Sequence, residues 1–126
     1  MKTNLIIFLP KFLMGGAGNS IFRLCKYLPK KKFNISIICL KKCFFDKKFK
    51  KIGIKVYKIK SNKTFFAMPK VIKITKSLIS EKYKKNIFLA NIHYANVLSL
   101  IFLRKLNNLK IALVERTPLM ELSIYF

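Results

Sequence analysis

A strand, a glycine-rich turn and a helix near the start of the chain constrain its fold most strongly. Residues 4–9 form a short apolar run that Pro10 ends, and the glycine-rich residues 15–18 follow. Apolar side chains then recur at helical spacing, at Ile21, Leu24, Cys25 and Leu28. We expect Asn19 or Ser20 to cap this helix. A buried strand that leads into such a turn and helix is typical of a doubly wound α/β domain.

The glycine-rich turn has two interpretations. The N-terminus of the helix carries unpaired N–H groups and a positive partial charge, so it suits a phosphate or another anion. Gly15 and Gly16 would let such a ligand approach the backbone closely. Alternatively, the glycines only allow a tight turn and close packing of the helix on the strand. The sequence leaves both interpretations open.

Four further strands are predicted from short runs rich in apolar residues. They cover residues 34–40, 54–59, 86–90 and 110–114. Apolar residues and lysines partly alternate in the second of these runs, which indicates an edge strand. The pattern predicts an α/β fold, a Rossmann-like doubly wound parallel sheet of five strands in the order 3-2-1-4-5 with helices on both faces.

The sequence defines the other helices less evenly. Residues 67–81 carry an apolar stripe opposite lysines, with Pro69 in the first turn. Residues 93–106 are apolar nearly all round, which predicts deep packing. Residues 41–51 are rich in lysine and phenylalanine, and a short helix or a solvated loop fits them equally well.

The charge of the chain favours anionic partners. Lysine and arginine number 27 against 4 acidic residues, which gives a formal net charge of +23. Nearly all of these cations are lysines, whereas base readout and bidentate phosphate contacts prefer arginine. Nucleic acid is therefore not the expected partner. Peripheral association with an anionic membrane is expected to be favourable.

Cysteine usage indicates a reducing cytoplasm. The three cysteines include no CxxC pair, and Cys25 and Cys39 lie in apolar faces as core thiols. One histidine and scattered acids predict no metal site. The apolar start resembles a signal peptide, but Pro10 and Lys11 interrupt it and argue against one. No stretch reaches the about 18 uninterrupted apolar residues that span a bilayer.

Polar residues that follow three of the strands form the candidate site. In an open parallel sheet, ligands bind outside the carboxyl ends of the strands, near the switch point between strands one and four. The candidates are Gly15, Gly16, Asn91, His93, Glu115 and Arg116. His93 could instead be a surface or helix-capping residue, and Glu115 could form a salt bridge with Arg116 or a lysine.

Several nucleotide and hydrolase motifs are absent from the sequence. It has neither a P-loop nor a GxSxG elbow. The dinucleotide motif lacks its third glycine, since Ile21 stands there, and strand two is followed by Lys41 and Lys42 rather than an acid. NAD is therefore not an expected cofactor.

In order and spacing, several stretches together resemble the N-terminal domain of GT-B glycosyltransferases of family 4, the glycosyl transferase group 1 type. They are residues 5–10 (LIIFLP), 15–17 (GGA), 24–28 (LCKYL), 40–42 (LKK), 54–59 (IKVYKI), 67–72 (AMPKVI), 93–96 (HYAN) and 115–118 (ERTP). The resemblance covers essentially the whole chain.

The resemblance implies retaining transfer of a sugar from a nucleotide-sugar to a glycan or glycolipid acceptor, without a metal or another cofactor. Gly15 and Gly16 would lie against the donor phosphates or the acceptor. His93 would lie near the reacting sugar as the catalytic residue. Asn91 would bind the substrate, and Glu115 and Arg116 would line the acceptor side. Such an enzyme would act in cell-envelope glycan synthesis, in the cytoplasm or at the inner face of the membrane.

The chain departs from the family in two respects. Gly18 and Asn19 stand where the family commonly has a Glu-Arg pair. The C-terminal domain that grips the nucleotide-sugar is missing from this sequence. We therefore expect residues 1–126 to be one acceptor-side domain, incomplete at its C-terminal end and inactive alone. The alternative function is a non-enzymatic basic α/β module that binds anionic polymers or membrane surfaces.

Overall fold

The computed structural model describes residues 1–11 and 16–114, apart from the side chain of His93. Strands and helices alternate through this part of the chain. The elements are β1 (Thr3–Phe8), α1 (Gly16–Tyr27), β2 (Phe33–Leu40), α2 (Asp46–Lys51), β3 (Lys55–Ile59), α3 (Thr64–Leu78), β4 (Lys85–Asn91), α4 (His93–Leu103) and β5 (Lys110–Val114).

The strands form one parallel sheet in the order β3-β2-β1-β4-β5. This confirms the predicted strand order and the Rossmann-like α/β fold. β1 lies at the centre, where Leu5 is paired with Ile35 of β2 and Ile87 of β4. Among the described strands β3 pairs only with β2, as predicted for an edge strand, and its side chains are less buried than those of β1.

Alternate residues of β1 enter two separate cores. Leu5 and Ile7 pack with α1 and α2 on one face, whereas Ile6 and Phe8 pack with α3 and α4 on the other. Burial of both faces requires a nearly continuous apolar run, because successive side chains of a strand point to opposite sides. This explains why β1 shows no polar alternation in the sequence.

Three asparagines join the strands at the amino end of the sheet. Asn4 of β1 is paired in register with Asn34 of β2 and Asn86 of β4. The Asn4 side-chain amide donates to Asn86 Oδ1 at 2.9 Å and to the carbonyl of Leu78 at 2.8 Å, and Asn34 donates to Asn4 Oδ1 at 3.1 Å. These bonds satisfy the buried amide groups and tie the end of α3 to the central strands.

Two predicted helix starts are wrong. α1 begins at Gly16, so Asn19 and Ser20 lie inside the helix and cannot cap it. α3 begins at Thr64, which places Pro69 within the helix rather than in its first turn. The earlier start of α3 is favoured because it buries Thr64 and Ala67 on the same stripe as Val71.

The prediction that α4 is deeply packed is also wrong. Ala95, Ser99 and Leu103 are buried, but Val97 and Leu100 on the other side are exposed. Only one side of the helix contacts the sheet and α3, so its outer apolar residues face solvent. The described helix also ends at Leu103, short of the predicted residue 106.

Residues 41–51 contain a short helix, which decides between the two alternatives left open by the sequence. α2 covers Asp46–Lys51, and Phe45 and Phe49 are buried against α1. The ring of Phe22 on α1 stacks on Phe45 with centroids 5.6 Å apart. Phe44 remains exposed. Among the described residues, no helix is long and apolar enough to cross a membrane.

A basic cleft at the carboxyl edge of the sheet

A cleft of about 590 Å³ opens where the carboxyl ends of four strands meet. Its lining comes from the segments that follow β1, β2, β3 and β4. The lining residues are Pro10, Lys11, Leu40, Lys41, Lys42, Ser61, Asn62, Lys63, Thr64, Ile92 and Tyr94. We call this the carboxyl-edge cleft. Its position beside the junction of β1 and β4 is where open α/β sheets commonly bind ligands.

The carboxyl-edge cleft is strongly cationic. Its lining includes Lys11, Lys41, Lys42 and Lys63, and none of the lining residues in the described part of the chain is a carboxylate. Within residues 1–11 and 16–114, the ion pair that forms joins Lys58 to Asp46 at 2.5 Å, outside this cleft. The lysines therefore converge on the cleft without a described acidic partner. This arrangement attracts anions, because several cations share one concave space.

Two helices begin at the wall of the cleft. α3 starts at Thr64 and α4 at His93, and the preceding residues, Lys63 and Ile92, make no side-chain capping bond. Neither helix has an acidic residue in its first turn. The partial positive charge of both N-termini is therefore added to that of the lysines.

The backbone is strained at two residues of the cleft wall. Lys41 has a φ angle of 55° and Ile92 a φ angle of 77°. The left-handed region is unfavourable for side chains with a Cβ, and most so for a β-branched residue such as isoleucine. Strained residues of this kind cost on the order of 1–3 kcal/mol and cluster at functional sites. Both strained residues follow the carboxyl ends of strands that contribute to the same cleft.

The structure describes the surroundings of two of the six predicted site residues, Gly16 and Asn91. Gly16 is the exposed first residue of α1, and a Cβ built there would meet no atom within 4 Å. Close packing of helix on strand therefore does not require a glycine at this position.

Asn91 is the buried last residue of β4. Its side-chain amide donates to the carbonyl of Phe8 at 3.3 Å and to that of Leu89 at 3.4 Å. It thus connects the ends of β1 and β4 at the switch point, beneath the cleft rather than on its lining surface.

The other predicted site residues are placed only in part. His93 is the first residue of α4 and stands between Ile92 and Tyr94, which both line the cleft. Gly15, Glu115 and Arg116 lie outside the described residues. The roles of all six residues therefore stay predictions.

Sequence reasoning missed most of the cleft lining. It took candidates from the ends of strands one, four and five, whereas the segments after β2 and β3 supply Lys41, Lys42 and residues 61–64. The signal that points to them is the pair of lysines directly after β2, where the dinucleotide motif would have an acid. Without the sheet geometry, these lysines were indistinguishable from the many others in the chain.

A pair of thiols lies near the end of β2. The Cys39 side chain hydrogen-bonds to Cys43, which raises the pKa of Cys39, with burial adding to the effect. Cys43 accepts this hydrogen bond, which lowers the pKa of Cys43. Burial alone raises the pKa of Cys25 on α1 to about 12. Cys25 and Cys39 are fully buried, which confirms their prediction as core thiols.

No group of three or more potential metal ligands occurs among the residues that the structure describes. Comparison of this chain with protein-family models, curated proteins and solved structures found no match in any of the three. The cleft itself therefore carries the functional argument.

Proposed function

We propose that this chain is the acceptor-side part of a retaining glycosyltransferase. The whole enzyme would transfer a sugar from a nucleotide-sugar to a saccharide or lipid-linked acceptor in cell-envelope glycan synthesis, in the cytoplasm or at the inner membrane face, and this part would be inactive alone. The observation that carries the proposal is the carboxyl-edge cleft, with four lysines on its wall and two helices starting there. Nucleotide-sugars and lipid-linked acceptors share phosphate groups, which such a cleft suits.

The proposal assigns separate roles around the cleft. The lysines would bind phosphate oxygens, and the exposed, open position of Gly16 leaves room for a ligand near the N-terminus of α1. His93 would lie near the reacting sugar, since it is flanked by two residues of the cleft wall. Gly15, Glu115 and Arg116 would contribute to substrate binding from outside the described residues. No metal or other cofactor is included in this proposal.

Chemical-shift mapping by NMR tests the proposal with the whole chain. The probes are UDP-glucose as a donor, farnesyl diphosphate as a soluble lipid diphosphate, and pyrophosphate as their common part. We expect each probe to shift the amides of Lys41, Lys63 and Thr64, and the two larger probes to shift those around His93 as well. UDP-glucose should bind most weakly, because the resemblance assigns the grip on the donor to a C-terminal domain. Shifts centred on the exposed lysines of α2, or no saturable binding, would contradict it.

The specific observation behind a second candidate is the scarcity of ion pairs. Within the described residues one ion pair forms, between Lys58 and Asp46, so most described lysines have no acidic partner that competes with a polyanion. This favours a non-enzymatic basic module that binds anionic polymers or membrane surfaces. Its affinity for heparin should fall steeply as salt rises, and His93→Ala should leave it unchanged. Selective binding of the diphosphate probes in the cleft at 0.15 M salt, where exposed charges are screened beyond about 8 Å, would instead favour the transferase.

A further inference from the structure

The outer surface of α3 and α4 combines exposed apolar and basic side chains. Its apolar part consists of Phe65, Phe66, Tyr94, Val97, Leu100 and Ile101, all exposed. Its basic part consists of Lys70, Lys73, Lys76 and Arg104, also exposed. We call these residues together the α3–α4 surface. We propose that the α3–α4 surface binds an anionic lipid bilayer.

The apolar part of this surface draws on both helices, which an aromatic contact joins. Tyr94, Val97 and Ile101 recur at helical spacing and share the side of α4 opposite its buried residues. The ring of Phe65 on α3 contacts Phe66 and Phe102, with centroid distances of 5.6 and 5.9 Å. Phe102 therefore joins the aromatic first turn of α3 to α4. Exposed apolar patches with polar rims mark interaction sites.

The basic part lies directly beside the apolar one. Lys70, Lys73 and Lys76 follow one another along the solvent side of α3, and Arg104 follows the last turn of α4. Neither helix contains an acidic residue. A cation near an anionic membrane gains electrostatic free energy that adds to the gain from burying apolar side chains.

Charge decides which partner fits this combination. A second copy of the chain would bring another +23 charge to the same interface, which opposes association. A nucleic acid would match the lysines but would not bury Val97, Leu100 and Ile101. A bilayer with anionic lipids offers both an apolar phase and negative headgroups, and the inference does not depend on sugar transfer.

Single tryptophans test which surface meets the bilayer. The chain contains no tryptophan, so Ile101→Trp and the control Phe44→Trp each provide one reporter. Both positions are 58% exposed, and Phe44 lies on the opposite face, beside α2. Phosphatidylglycerol vesicles should shift the emission of Ile101→Trp to the blue, and brominated lipid should quench it. Phe44→Trp should respond little. Equal responses, or none at position 101, would overturn the proposal.

Matched charge variants test the basic part by vesicle sedimentation at 0.15 M salt. Lys70→Gln/Lys73→Gln/Lys76→Gln removes three positive charges from the α3–α4 surface, and Lys47→Gln/Lys50→Gln/Lys51→Gln removes three from α2. We expect the α3 variant to bind phosphatidylglycerol vesicles on the order of a hundredfold more weakly than the unchanged chain. The α2 variant should lose no more than about threefold. Equal losses would show unspecific attraction and overturn the proposal.

The apolar part is tested by Val97→Ser/Ile101→Ser. This variant should weaken vesicle binding at least about tenfold because two apolar side chains no longer enter the bilayer. Its melting temperature should match that of the unchanged chain, since both side chains are exposed. A large fall in melting temperature would show that other residues of the protein cover this surface, which contradicts the proposal. Equal binding to phosphatidylcholine vesicles would remove the anionic specificity and contradict it too.

Discussion

Lys41 lowers the stability of the fold but adds a positive charge to the cleft. Its left-handed backbone is unfavourable for lysine, yet its position directly after β2 places it on the cleft wall. Lys41→Gly should increase the free energy of unfolding by about 0.5–1 kcal/mol, because relief of strain exceeds the added freedom of the unfolded chain. The same variant should bind pyrophosphate more weakly.

Lys42→Gly is the matched control for this prediction. Lys42 also lines the cleft but is not among the residues with positive φ. The free energy of unfolding of the Lys42→Gly variant should fall by about 0.5–1 kcal/mol, because glycine adds conformational entropy to the unfolded chain. Urea unfolding of both variants measures the difference. Equal losses of stability in the two variants would contradict the strain argument.

The three thiols should differ sharply in reactivity. A thiol reacts as the thiolate, and a pKa of about 12 leaves roughly one Cys25 side chain in ten thousand ionised at pH 8. Cys43 accepts the hydrogen bond of Cys39, which lowers its pKa, and it is also the least buried of the three. Iodoacetamide at pH 8 should therefore label Cys43 first, as read by peptide mass spectrometry. Faster labelling of Cys25 than of Cys43 would contradict the burial of the Cys25 thiol and its raised pKa.

Among the helices, α4 is the one whose burial could not be predicted from the spacing of its apolar residues. A helix that is apolar nearly all round resembles a buried one, but exposure depends on how many neighbours surround it. In the described structure α4 contacts the sheet and α3 on one side, and its other side is exposed.

Two leucines of α4 test this difference. Leu103 is fully buried, whereas Leu100 is 43% exposed. Leu103→Ala should lower the free energy of unfolding by about 3 kcal/mol, because it leaves a cavity between α4 and the sheet. Leu100→Ala should lower it by less than about 1 kcal/mol. Chemical denaturation of both variants measures the two effects. Similar losses of unfolding free energy in the two variants would show that α4 is packed on both sides, which contradicts the exposure of Leu100.

Strands could be predicted better than helix starts for a physical reason. A strand buried on both faces must be apolar throughout, so β1, β2 and β4 stand out in the sequence. The start of α3 depends on tertiary contacts of Thr64 and Ala67, which outweigh the preference of Pro69 for a first turn. Helix boundaries therefore could not be read from local signals alone.

At the scale of the whole molecule, the strand order created the site. Residues 11, 41, 63 and 92 are distant in sequence. The parallel direction of the strands brings them to one edge, and the order 3-2-1-4-5 places the four strands that they follow side by side. The sequence predicted that edge, because ligands bind at the carboxyl ends of parallel strands. It did not distinguish the lysines that line the cleft from those that cover the surface.

The cleft and the α3–α4 surface share elements of the fold. Thr64 begins α3 at the cleft, and Phe65 and Phe66 follow it on the outer surface. Tyr94 belongs to both the cleft lining and the exposed stripe of α4. Together, the two proposals would place the cleft mouth close to a bilayer, where a lipid-linked acceptor is found.

Phosphate binding in the carboxyl-edge cleft is tested by a calorimetric titration of the chain with pyrophosphate at 0.15 M salt. Lys41→Gln/Lys63→Gln removes two charges from the cleft, and Lys47→Gln/Lys51→Gln removes two from α2 as the control. We predict one saturable site that the cleft variant weakens at least about tenfold, since charge-assisted bonds to phosphate are lost. The control should stay within about twofold of the unchanged chain. Equal weakening by the two variants, or no saturable site, would contradict the claim that the cleft binds phosphate-bearing substrates.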